Sequence, residues 1–100
     1  MAWLRCDIYP GQFSSEFAVV VTPFSGRQLS LFSGKNDLRH DKIPTRDHPV
    51  SGWISVEITE CEDELCLVRL PQTTLENGPF ITVRKSDLYV QVPETGMVNA

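Results

Sequence analysis

Both histidines of the chain, His40 and His48, sit close together, each beside an aspartate and near an arginine. The clusters Arg39-His40-Asp41 and Arg46-Asp47-His48 hold the same three residue types. Imidazole and carboxylate together suit zinc or another first-row ion, and a histidine oriented by a carboxylate makes a general base. His40, Asp41, Asp47 and His48 are therefore the candidate ligands of a metal site in residues 40–48. All four come from one stretch without a strand or helix period to fix their geometry, and His–Asp neighbours in solvated loops also arise simply as balanced charge. The favoured expectation is no metal, no cofactor and no catalytic group.

The same stretch is locally basic. Lys35, Arg39, Lys42 and Arg46 are the cations that a nucleic-acid-binding barrel would turn toward phosphates, using the loop 35–46. Asp37, Asp41 and Asp47 interleave with them and cancel much of the field. Over the whole chain nine Lys and Arg stand against thirteen Asp and Glu, a net charge of −4. A dedicated nucleic-acid binder usually carries a basic face, so nucleic acid is disfavoured as the partner. There is also no Gly-rich phosphate loop, no GxSxG elbow and no HExxH pair. The sequence reads as non-enzymatic.

Three cysteines remain: Cys6, Cys61 and Cys66. The N-terminal MAWLRCDIYPG has no apolar stretch of the secretory kind. The longest apolar run, 17–21, is far below the roughly 20 residues of a membrane span. These features predict a cytoplasmic protein whose thiols are reduced and packed as small apolar side chains. Cys61 and Cys66 flank an acidic hairpin tip where they would face each other across two strands, and spacing alone leaves their redox state open.

Positioning these groups falls to strands, because the dominant hydrophobic period is two. In 3–9, Leu4, Cys6 and Ile8 share one face, with Trp3, Arg5, Asp7 and Tyr9 on the other. Residues 17–22 are rich in β-branched side chains, which suit a pleated surface. Further strands are predicted at 27–32, 53–59, 65–70, 80–84 and 88–92, separated by turn signals at Pro10-Gly11, Pro23–Gly26, Pro71 and Asn77-Gly78. Residues 33–49 break the alternation and read as a long loop, the kind that is usually functional or mobile. No helix longer than a turn is predicted.

Displacing the chain by about fifty residues brings its halves into register. WLRCDIY at 3 lies over WISVEIT at 53, EFAVVVTP at 16 over ELCLVRLP at 64, and KNDL at 35 over KSDL at 85. Alternation accounts for the matched apolar positions, but not for two Trp, two strand-ending Pro and two KxDL blocks. The predicted fold is an all-β, small antiparallel barrel or sandwich of six to seven strands, built as two pseudo-symmetric three-stranded halves of an internal duplication. The single-turn element between 80–84 and 88–92 resembles the last turn of SH3-like barrels in pattern. One β domain is expected over 1–92, with a first half at 3–38, a connecting loop at 39–52 and a second half at 53–92. A flexible tail is expected at 93–100.

Two-faced strands then suggest where a partner would sit. Phe17, Val19 and Val21 alternate with further apolar residues, so something must cover a second face. Trp3 and Trp53 lie opposite the aliphatic faces of their strands, and tryptophan is enriched in binding hot spots. The expectation is a non-enzymatic module acting by protein binding or self-association through Trp3, Phe17, Val19, Val21 and Trp53. A homodimer fits this reading, and a membrane does not.

Overall fold

A computed structural model of the chain describes residues 2–13 and 15–90, so the expected tail at 93–100 lies outside the described residues. Among the described residues there are eight strands: β1 (Ala2–Pro10), β2 (Glu16–Val21), β3 (Leu29–Gly34), β4 (Leu38–Arg39), β5 (Val50–Glu62), β6 (Leu65–Thr74), β7 (Gly78–Arg84) and β8 (Leu88–Tyr89). Single 3₁₀ turns at Lys35–Asp37 and Lys85–Asp87 lead into β4 and β8. The strand pairs are antiparallel, in the order β3-β2-β1-β5-β6-β7, with β4 added to β5 and β8 added to β1. The sheet is all-β and curls into a half-barrel.

Its centre is the β1–β5 pair, where Leu4 faces Ile54. On either side the register repeats with an offset of fifty: Ala2 faces Val56 while Cys6 faces Gly52, and Trp3 faces Ser55 while Arg5 faces Trp53. The short strands follow the same rule. Leu38 and Arg39 of β4 face Ile54 and Trp53, and Leu88 and Tyr89 of β8 face Leu4 and Trp3. Each half therefore hands its last strand to the first strand of the other. Two backbone bonds draw the outer strands in: Phe24 N donates to Thr82 O and Leu75 N to Ser30 O, both at 2.8 Å.

Alternation predicts the core face well. Leu4, Cys6 and Ile8 of β1, Leu29 and Leu31 of β3, and Ile54 and Val56 of β5 are all buried. Val19, Val21, Val68, Leu70, Ile81 and Val83 join them, with Phe17, Val50, Ile58 and Leu88 packed around the edge. Such a core supplies the main favourable term, roughly 25 cal/mol for each Å² of apolar surface withdrawn from water.

The turns are made by residues that suit them. Gly26 takes φ +85° and its N–H closes the turn on Pro23 O at 2.9 Å. Asp63 takes φ +56° at the β5–β6 tip, a left-handed conformation that aspartate enters more easily than most residues. Between β6 and β7, the Thr74 hydroxyl donates to Gly78 O at 2.6 Å and accepts from Asn77 N at 2.9 Å.

Several boundaries differ from expectation. Among the described residues the strand count is eight, one more than expected, because 38–39 pairs as a two-residue strand too short to show a period; of the strand expected at 88–92, Leu88 and Tyr89 are paired and 91–92 lie outside the described residues. β5 begins at Val50, so the last three residues of the predicted 39–52 loop are strand. Pro71 does not end β6; the strand runs on to Thr74 through an irregular pairing after Arg69, which is where a residue lacking an N–H is tolerated. The cysteines also differ from the reduced set expected. Cys61 and Cys66 are opposite each other in register and joined by a disulfide, leaving Cys6 as the free, buried thiol.

Candidate binding sites

Trp3 and Trp53 lie opposite the aliphatic faces of β1 and β5, yet they are only 2% and 7% exposed. The exchanged strands explain this. β8 and β4 bring Tyr89 and Arg39 alongside, and each reaches diagonally across the pair. The Arg39 guanidinium lies over the Trp3 ring at 4.7 Å, and the Tyr89 ring packs on Trp53 at 4.3 Å. Arg5 lies over Trp53 at 5.0 Å. Contacts of this cation–π kind contribute about 0.5–2 kcal/mol each, more when desolvated. Val19 and Val21 are inside the core. Phe17 is partly buried and meets the His40 ring edge-on at 5.5 Å. The apolar area of Trp3, Val19, Val21 and Trp53, assigned to a partner from the sequence, is already covered by the chain itself.

The four cations of the nucleic-acid reading are spread over three elements. Lys35 stands in the first 3₁₀ turn, Arg39 in β4, and Lys42 and Arg46 in the loop at 40–49. Of the four, Arg39 alone is partly buried. The His/Asp candidates separate too. His40 Nδ1 is 2.7 Å from Lys42 O, so that nitrogen donates to the carbonyl. His48 pairs its backbone with Thr45, 3.1 Å in both directions. Among the described residues no three His, Cys, Asp or Glu side chains gather as ligands. His40, Asp41, Asp47 and His48 are not brought together.

A different surface emerges where the halves meet. The bond from Phe24 N to Thr82 O sets the chain leaving β2 against β7. A depression of about 400 Å³ opens there, with Phe24 and Phe80 on its walls and the buried Leu29 and Ile81 among its lining. Arg27, Glu76 and Asn77 also line it. Phe24 is 49% and Phe80 47% exposed, and the Arg84 guanidinium lies over Phe24 at 5.3 Å. Exposed aromatic side chains among polar and charged ones are a composition found at protein interfaces.

Reading the sequence for alternation missed this pair, although signals were present. Phe80 is out of phase with Ile81 and Val83, so a core on their face leaves it outside. Phe24 is a large apolar residue inside the polar turn Pro23–Gly26. No known protein family, no curated protein and no solved structure matches this chain. Function is argued from these surfaces alone.

Proposed function

We propose that the chain is a non-enzymatic β-module that acts by protein–protein association, with its own copy as partner and the Phe24–Phe80 depression as the contact. The observation that carries this reading is the exposure of two phenylalanines on the walls of one apolar depression. Aromatic side chains held this way are typical energetic centres of interfaces. Charge favours a second copy over an oppositely charged stranger. Arg27 and Glu76 line the same depression, so the patch carries charge of both signs and can complement a copy of itself across a two-fold axis.

The halves themselves are read as a tandem duplication. Three sequence blocks and the β1–β5, β4–β5 and β8–β1 registers share one offset of about fifty. The sole membrane statement supported is that no helix among the described residues is long and apolar enough to cross one. The cytoplasmic placement expected from the sequence is not carried into the proposal, because a bond such as the Cys61–Cys66 disulfide is rare in a reducing compartment.

The test is Phe24→Ser and Phe80→Ser, singly and together, compared with the wild type by light scattering. Loss of either hot-spot side chain weakens a dimer by about tenfold or more. Phe13→Ser, which changes an exposed phenylalanine outside the depression, leaves it unchanged. Equal weakening by all three substitutions would move the contact elsewhere.

A further inference from the structure

The structure assigns, in our reading, an oxyanion-binding site to the pocket between β1, β4 and β5, where Arg5 and Arg39 hold a carboxylate or phosphate group. The site stands independently of self-association. The pocket has a volume of about 310 Å³ and is lined by both arginines with His40, Ser51 and Trp53. That is the lower end of the size range for small-molecule sites.

Among the described residues the one ion pair is Arg69 with Glu57, at 2.6 Å. Neither Arg5 nor Arg39 has a carboxylate in ion-pair contact there, in a chain where acids outnumber bases thirteen to nine. Their guanidinium carbons lie over the Trp53 and Trp3 rings, and a guanidinium seated on an aromatic ring can still offer an outward N–H group to a carboxylate or phosphate, on Arg39 the Nη2 group. Arg39 uses Nη1 on Leu38 O at 2.8 Å and on Asn36 O at 3.4 Å. Its Nε is buried with no partner among the described residues. Stacking and backbone bonds together fix this side chain in place, so little entropy is lost when an anion arrives.

The fifty-residue offset places Ser55 where Arg5 stands, Tyr89 where Arg39 stands, and Val90 where His40 stands. Ala2, Ser55 and Val90 line a depression of about 700 Å³ in the other half. The arginine that lines that depression, Arg69, is neutralised by Glu57. The two halves thus differ in the groups around Trp3 and Trp53, and among the described residues Arg5 and Arg39 lie over these rings without a carboxylate partner.

Three carboxylates moderate the site. Asp41 lines the same pocket. Asp7 and Asp87 line the small depression that Arg5 also borders. The group favoured is one that offers separate acceptor atoms to the two guanidiniums, as carboxylate and phosphate oxygens do, where chloride offers a single atom.

The test is a nuclear magnetic resonance titration of the ¹⁵N-labelled protein. Inorganic phosphate is the probe in one arm and succinate in the other, against sodium chloride at matched ionic strength. Expected are saturating shifts confined to Arg5, 39–41 and 51–53 in at least one arm, and the arm that saturates names the group. Arg5 is exposed, so Arg5→Gln keeps the fold and weakens binding at least tenfold. Arg39→Lys, which keeps the charge and removes the fork, weakens it as well, while Arg69→Gln leaves it unchanged. Shifts that stay linear and match chloride in both arms overturn the site. Saturation unchanged in Arg5→Gln overturns it too.

Discussion

Gly52 shows how much a single residue can decide here. A Cβ at this position would lie 2.6 Å from Arg39 O and 2.6 Å from the Ile8 Cδ1. The carbonyl belongs to β4, which is paired to β5 and cannot retreat without breaking that pairing. Gly52→Ala is therefore expected to cost about 1–3 kcal/mol, as overpacking of a close-fitted site does, whereas Gly34→Ala, which meets only Ser15 O at 4.0 Å, costs little. Urea unfolding of the two variants measures the difference. Cys6 carries a second residue-scale prediction. Burial pushes its thiol well up from the ordinary range, with Asp7 adding to the shift. Between the unfolded thiol pKa of about 8.5 and the raised folded value, the folded state holds one more proton than the unfolded state. Stability from this group is thus complete below that lower limit and falls as pH rises, by about 1.4 kcal/mol per pH unit. Denaturant titrations at alkaline pH are expected to show this slope in the wild type and lose it in Cys6→Ala.

At the scale of elements, the exchange of β4 and β8 separates what the sequence made legible from what it did not. The faces of β1, β3 and β5 follow from alternation, since a period of two leaves little choice once one face is apolar. The 3₁₀ turns fall on the two KxDL blocks for the same local reason. The burial of Trp3 and Trp53 was not legible, because β4 and β8 cross to the first strand of the other half and their side chains then reach back, Arg39 to Trp3 and Tyr89 to Trp53. Alternation within either half gives no sign of that crossing. The irregular pairing after Arg69 hid the continuation of β6 beyond Pro71, and the disulfide depended on a hairpin register that spacing leaves open. Of the candidate sites, Arg39 and His40 were visible as a basic loop, while Arg5 was visible only as an outward residue of β1. Exchange also makes a firm prediction. A fragment ending at residue 49 retains β1 to β4 but loses both partners of the exchange, β5 and β8. It is expected to lack the dispersed amide spectrum of the full chain, and to gain dispersion when mixed with residues 50–100. A folded, dispersed spectrum from the fragment alone would contradict the exchange.

For the whole molecule, the half-barrel concentrates its apolar area in one core and places Phe24 and Phe80 outside it. The two tryptophans that look most like a binding surface in sequence seal the sheet instead, and the contact moves to the junction between the halves. In the proposed function, association runs through the exposed Phe24 and Phe80 at that junction. Association through that patch is the central property proposed for the molecule. Sedimentation velocity of the wild type and the Phe24→Ser/Phe80→Ser double variant, run across a wide concentration series, tests this most directly. The wild type should pass reversibly from monomer to dimer as concentration rises, and the double variant should stay monomeric. A wild type that remains monomeric throughout, or a double variant that dimerises equally well, would contradict the account.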